Sequence, residues 1–421
     1  MATQVVEAFA TKSSFDNALV DPYTYADVDL YHALFTRLRR EAPVYWTESE
    51  GFRPFWTISK AADIRSVELR PAEFLNAPRL ILSPEADELK VLEMTGGNML
   101  VRSLVSMDDP DHRVFRSMTQ AWFGAKNIRL LEDQIRALAR ESIDRMVDLD
   151  GRCDFAAEVA LWYPLRVIMH ILGVPPEDGP FLLKITQEVF GPADPDTQRA
   201  PGPLAMIDTV MEFAAYCSNL AADRRAAPRD DVASVIANAT MPDGSPISDL
   251  DTMSYYMIIA TAGHDTTSSS SAAGLLELIR NPDQMALLRS RPELLPTAID
   301  EFIRWSTPVK HFFRTAAKDA EVGGKRIREG EAVMLCYPSA NRDEELFDDP
   351  FSFRIDRPQG KHIAFGIGPH LCLGQHLAKL EIRILYEELL ARFSNFELDG
   401  DPRYVASSFV SGLKSLPIRY S

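Results

Sequence analysis

Cysteine is scarce: Cys153, Cys217, Cys336 and Cys372 are the four in 421 residues. None stands in a C-x-x-C pair, so neither a disulfide framework nor a zinc site is indicated, and a reducing cytoplasm fits that usage. Basic residues are outnumbered, 45 Lys and Arg against 61 Asp and Glu for a net charge of −16. That balance disfavours nucleic acid and anionic membrane as partners of the whole chain. No uncharged apolar run reaches the length of a membrane span. Residues 1–20 lack the charged start, apolar stretch and processing site of a secretion signal. Repeats and low-complexity tracts are missing too. The most loop-like stretch, 191–203, is proline-rich and short, and reads as a surface connection within one domain.

What is present is ordinary globular material: 46% hydrophobic and 25% charged residues, enough apolar surface for a deep core. The length admits several domains or one large unit. A single domain over 1–421 is the expectation. Apolar residues at three-and-four spacing predict helices over 128–147, 293–305 and 373–393. Strand-like pieces cluster at 44–58, where Val44 and Trp46 face Trp56 and Ile58 about a Glu-Gly turn. A second cluster at 312–333 is broken at Gly323-Gly324 and Glu329-Gly330, and further β structure is expected near the C-terminus. The predicted fold class is therefore mainly α with a smaller β portion. The stretch 337–369, rich in Pro, Asp, Arg and Gly, is a long irregular connection of the kind that carries function.

Two segments concentrate the chemistry. In 365–374, FGIGPHLCLG, one cysteine lies between glycines directly before a strongly helical run. Free amide N–H groups and the positive end of the helix dipole there favour an anionic sulfur, the form that binds a metal. Gly368 and Gly374 would let backbone approach a flat cofactor, and Phe365 would shield the sulfur from water. A lone cysteine in other surroundings is usually an inert buried one.

The second is 251–280, a proline-free helix stopped by Asn281-Pro282. At 1.5 Å per residue it runs roughly 45 Å, enough to cross the molecule. Its middle is unusual. Gly263 weakens the backbone, and Thr266, Thr267 and Ser268 to Ser271 carry hydroxyls able to bond preceding carbonyls, so distortion is expected near 262–266. Ala262 and Thr266 lie one turn apart with Asp265 beside them, which brings a small gap, a hydroxyl and a carboxyl together. The four serines read as close-packed or solvated residues without chemistry, and His264 as a neighbour without an assigned role.

The run from Phe365 to Gly374 resembles the F-x-x-G-x-x-x-C-x-G haem loop of the cytochrome P-450 superfamily at every fixed position, and AGHDTT resembles the superfamily's A-G-x-D/E-T-T motif. This resemblance implies the cytochrome P-450 fold, with haem b between the long central helix and the cysteine loop. It implies that Cys372 is the axial ligand, whose electron donation favours O–O cleavage. Thr266 would then hydrogen-bond the oxygen bound at iron while Asp265 relays protons. Glu301 and Arg304 match the superfamily's E-x-x-R pair, which would join Arg357 in a structural cluster fixing the cysteine loop. By their places in DHRVFR, HFFRTA and just before Cys372, the pattern gives His112, Arg116, Arg314 and His370 to the propionates, which need cations or donors. Ala262, Phe365, Gly368 and Gly374 would line the cofactor.

Ile258 and Ile259 of the central helix, with Val309, Phe312, Phe409, Val410, Phe74 and Met99, form the expected pocket for an apolar substrate. Nearly the whole chain is similar to the monoterpene-hydroxylating bacterial branch, of the α-terpineol monooxygenase type. A monoterpene, an aromatic hydrocarbon or another compact apolar molecule all fit. No flavin or iron–sulfur module has room in the chain, so electrons would come through an NAD(P)H-dependent reductase and a [2Fe–2S] ferredoxin. Arg113, Lys361 and Lys379 are candidate docking charges. The competing functions are a peroxide-driven peroxygenase on the same fold, against which Asp265 and Thr266 argue, and a non-catalytic haem-binding sensor. A helical protein without haem would require both motifs to be coincidences.

Overall fold

Residues 11–421 are described by the computed structural model, apart from 98, 100, 191–192, 200–202 and 359 and the side chains of 190 and 203–206. The first ten residues and part of the proline-rich connection at 191–203 lie outside the described residues. Helices take 55% of the residues and strands 12%, so the mainly α expectation holds.

The strands are β1 (Val44–Thr47), β2 (Phe55–Ile58), β3 (Phe74–Leu75), β4 (Arg152–Asp154), β5 (His311–Ala316), β6 (Ala320–Val322), β7 (Lys325–Ile327), β8 (Ala332–Cys336), β9 (Phe396–Leu398), β10 (Arg403–Tyr404), β11 (Leu413–Ser415) and β12 (Pro417–Tyr420). The largest sheet runs β1-β2-β8-β5-β3. Its β1–β2 hairpin pairs Val44 with Ile58 and Trp46 with Trp56, as the alternation predicts. Among the described residues, β2 and β8 form the one parallel pair of this sheet. Gly323 and Gly324 turn β6 into β7, both with positive φ, a conformation glycine adopts without steric cost. The chain terminus closes a three-stranded sheet, β4-β12-β9.

The helices that position the site are α1 (Ala61–Glu68), α2 (Asp111–Gln120), α3 (Glu132–Asp148), α4 (Trp162–Leu172), α5 (Gly179–Phe190), α6 (Asp249–Ala262), α7 (Asp265–Arg280), α8 (Leu295–Ser306) and α9 (Gln375–Arg392). The helix expected over 128–147 is divided at Leu131, with Ala125–Leu130 preceding α3. Phe155–Leu172 is apolar and long enough to cross a membrane, but two thirds of it is buried in the core.

Ser248 caps the central helix, its side chain accepting from the Asp251 N–H. The helix breaks into α6 and α7 at Gly263 and His264, inside the stretch where distortion is expected. The break has a packing cause as well as a local one. A Cβ on Gly263 would fall 2.3 Å from Ile168 Cδ1 of α4, so the two helices approach more closely than any side chain would allow. The four serines that follow are buried. Ser269, Ser270 and Ser271 return their hydroxyls to the carbonyls of Asp265, Thr266 and Thr267. Of the two roles open to them, packing is the one the fold uses.

One large apolar cluster ties α3, α4, α6, α7, α8 and α9 together. Two smaller clusters lie about the sheet, one of them joining α1 to β3, β5 and β8.

Candidate active site

The cysteine loop and the broken central helix line the same cavity, which encloses about 1500 Å³ of space including its mouth. Its walls carry Ala262, Gly263, Thr266, Thr267 and Ser270 from α6 and α7, and Phe365, Gly366, Cys372, Leu373 and Gly374 from the loop.

Cys372 sits three residues before α9, and its N–H donates to the Phe365 carbonyl at 2.8 Å, which closes the loop on itself. The N–H groups of Gly374 and Gln375 at the helix start point at its sulfur, and Arg116 adds positive charge. The helix-terminus effect expected from the sequence is therefore present, but burial outweighs it and pushes the thiol above its ordinary value. Gly374 would meet nothing with an added Cβ and lines the cavity. Gly368 does not line it. That glycine has φ +69°, and a Cβ there would lie 3.0 Å from the Glu68 carbonyl, so its requirement comes from packing against α1 rather than against a cofactor.

On the helix side, Thr266 faces the cavity and its Oγ1 donates to the Ala262 carbonyl at 2.9 Å, across the break. Asp265 is not on that wall, because successive helical residues point about 100° apart. Its Oδ2 lies 3.4 Å from Nδ1 of the fully buried His264. That oxygen has no hydrogen-bond partner among the described residues. His264 reaches Thr186 of α5 at 3.3 Å.

The residues assigned to propionates converge. His112, Arg116, Arg314 and His370 all line the cavity, and the His112 and His370 rings stack with centroids 3.8 Å apart. Arg116 donates to the Leu371 carbonyl at 2.7 Å, and His370 meets Asn76 at 2.8 Å. Burial first, and then the neighbouring cations, depress His370 to about 3.

Glu301 and Arg304 form no exposed salt bridge. Two bonds of 2.7 Å join them in the interior, and Arg357 Nε lies 3.2 Å from Glu301. Arg304 also donates to the carbonyls of Asn341 and Pro350 and Arg357 to those of Asp348, Asp349 and Ser352, which pins the irregular segment that leads into the cysteine loop. Burial alone would raise the Glu301 carboxyl, but the Arg304 guanidinium holds it below the usual range.

Of the expected substrate-pocket residues, Ile258, Ile259, Val309 and Phe312 line the cavity; Phe74, Met99, Phe409 and Val410 do not. Phe74 is taken into the core between α1 and the sheet. Phe409 and Val410 stand behind the wall, Phe409 against the Phe312 ring and Val410 bridged to Val309. Met99 is half-buried and outside the lining. Residues the sequence reading did not single out also line the cavity, among them Glu68, Leu104, Val105, Tyr255, Tyr337 and Glu381. Glu381 carried a readable signal, a carboxyl among Leu377, Leu380 and Ile384 on the apolar face of α9. Glu68 carried none.

The fold sets a half-buried cysteine opposite a hydroxyl-lined helix break, the arrangement of a haem-binding oxygenase fold. The chain belongs to the cytochrome P450 family, whose model matches residues 206–419, and it is a monooxygenase. It is 45% identical to cytochrome P450-terp of a Pseudomonas species, over 95% of this chain and 96% of that one. It is 34% identical to linalool 8-monooxygenase of Pseudomonas putida, over 93% and 97%. Among solved structures, CYP108D1 from Novosphingobium aromaticivorans superposes with a TM-score of 0.91 at 44% identity, covering 97% of this chain and 98% of that one. CYP268A2 of Mycobacterium marinum, in complex with pseudoionone, gives 0.86 at 31% identity, over 94% and 96%. The family's cofactor is a haem iron. The donor set fits it: a thiol on one wall, small residues at the helix break, and cationic or neutral donors gathered at one end. Among those donors, buried His112 Nε2 has no partner among the described residues.

Proposed function

We propose that this chain is a haem-thiolate monooxygenase that inserts one oxygen atom of O2 into a small apolar substrate, monoterpene-like or an aromatic hydrocarbon. The observation that carries it is the shared cavity of Cys372 and Thr266. Cys372 would ligate the iron of haem b, with His112, Arg116, Arg314 and His370 on the propionates and Ala262, Phe365 and Gly374 against the macrocycle. When bound, the haem supplies oxygen activation, which an electron-rich thiolate ligand promotes.

The chain's own residues then exclude water and handle protons. Thr266 Oγ1 would hold a proton at the cavity wall, and Asp265, whose one buried oxygen is unsatisfied, would replenish it from outside. The buried Glu301, Arg304 and Arg357 cluster would position the cysteine loop. Ile258, Ile259, Val309 and Phe312 would fix the substrate through apolar contact alone. The named relatives support a terpene-like molecule, since one is a linalool monooxygenase and another was solved with pseudoionone.

Electrons would come from a [2Fe–2S] ferredoxin and its NAD(P)H-dependent reductase in the cytoplasm. In support of a docking face, Arg113 is 80% exposed and pairs with Asp109 at the surface, Lys361 is exposed, and Lys379 is partly exposed beside Asp300. A single domain spanning 1–421 would serve this chemistry, consistent with β1 and β2 sharing a sheet with β5 and β8, and β4 sharing one with β9 and β12.

The test is the absorption spectrum of dithionite-reduced protein with carbon monoxide, for wild type and Cys372→Ser. A strongly red-shifted Soret band present in wild type and lost in the variant is expected. A wild-type protein with no haem band would overturn the proposal.

A further inference from the structure

This inference rests on the haem reading. The end of the cavity that would receive the two propionates is lined by donors, yet an acid stands among them. Glu68, the last residue of α1, is buried and lines the same wall as Arg314, His370 and Tyr337. Its Oε1 accepts a 2.7 Å hydrogen bond from the Tyr337 hydroxyl and lies 3.6 Å from the Arg314 guanidinium. The cysteine loop presses on it from the other side: a Cβ on Gly366 would lie 3.4 Å from that same oxygen. Its Oε2 is buried and has no partner among the described residues. A role in anchoring Tyr337 and Arg314 occupies one oxygen and leaves the other unexplained.

A buried polar atom without a partner is costly, and native structures rarely keep one unless something supplies the bond. A carboxylate arriving beside a carboxylate is costly as well, because two such groups in one dry site cannot both ionise; one keeps a proton. Both costs vanish together if that proton lies between them.

We propose that Glu68 is a cofactor-binding residue that shares one proton with a haem propionate through Oε2, so that haem is held there by an acid–carboxylate hydrogen bond in addition to cations. The proton is taken from water when haem enters and returns to water when it leaves, and nothing else is transferred. The groups acting on Glu68 are Arg314 from β5, the Tyr337 hydroxyl, the Ile367 N–H of the cysteine loop and Arg65 a turn earlier on α1. All of these favour the anion, but burial is larger and raises the carboxyl already without a propionate. The carboxyl is thus already biased toward its protonated form before a propionate arrives.

The experiment follows haem release from reconstituted protein to an excess of apomyoglobin between about pH 6 and about pH 9. Wild type, Glu68→Gln and wild type reconstituted with the dimethyl ester of iron protoporphyrin IX are compared. In wild type, release should quicken by up to about tenfold per pH unit as the shared proton is lost. In Glu68→Gln, which offers an N–H without titrating, and with the ester, which has no propionate charge, the profile should be flat. A variant that keeps the wild-type slope overturns the proposal. Should Glu68→Gln fail to fold, the ester arm decides alone, and an unchanged slope there is equally fatal. Wild type that takes up no haem removes the haem reading itself, whereas uptake with a flat profile removes only this one.

Discussion

Arg304 grips Glu301 with two parallel hydrogen bonds of 2.7 Å, and neither side chain is more than 1% exposed. A buried pair of this kind contributes little relative to a well-packed apolar pair, yet removing one partner strands the other charge without compensation. Arg304→Leu is therefore expected to destabilise the protein by about 3–5 kcal/mol, read as a lowered urea midpoint. The loss should include haem retention, because the same guanidinium holds the segment before the cysteine loop. An Arg304→Leu protein with wild-type midpoint and haem content would contradict the assignment.

Thr266→Ala removes the hydroxyl from the cavity wall and leaves the helix break intact. Product formed per electron consumed should drop, with product formation falling by about 10²-fold or more if general-acid catalysis is lost. Substrate binding, measured by spectral titration, should change little. Equal product yield per electron in the two proteins would exclude a proton-handling role.

Gly263→Ala places a methyl group 2.3 Å from Ile168 Cδ1. Overpacking at such a site costs about 1–3 kcal/mol, and Ile168→Val in the same chain should return part of it. Denaturant titration of the two single variants and the double variant gives the coupling. Simple additivity would show that helix propensity, rather than the contact with α4, explains the glycine.

His311 is committed at both ring nitrogens: Nε2 accepts from the Leu82 N–H at 3.0 Å and Nδ1 donates to the Ser408 carbonyl at 2.9 Å. Protonation would break the first bond, and burial together with the Arg79 charge keeps its folded-state value near 3. The unfolded chain binds this proton near pH 6.5 and the folded chain does not. Stability is therefore full above about pH 6.5 and falls as the pH drops toward 3, by up to about 1.4 kcal/mol per unit from this group. His311→Gln should lower stability at pH 7 but reduce the slope between about pH 6 and pH 4 by roughly one proton. An unchanged slope would refute the assignment.

Neutralising Arg113 and Lys361 together should slow reduction by the ferredoxin several-fold and weaken its salt dependence, since rim charges act mainly on association. Substrate affinity should not move. Stopped-flow reduction at two ionic strengths distinguishes this from a general loss of fold.

The sequence by itself determined the element types and the two chemical centres. Period-two alternation set the β1–β2 register down to the Trp46–Trp56 pair. The glycine-flanked cysteine before a helix and the AGHDTT break are local patterns, written in ten residues or fewer, so they survive without knowledge of the fold. What sequence could not supply was which side chains meet across the chain. Phe74 and Phe409 were as apolar as Phe312, and only packing decided that one of the three faces the cavity. Asp265 follows its motif in sequence but leaves the wall because a helix turns its neighbours apart. Glu68 reads as one more carboxylate on an amphipathic helix. Burial against the cysteine loop, whose Gly366 lies 298 residues further along the chain, left one of its oxygens without a partner and turned an ordinary acid into part of the site.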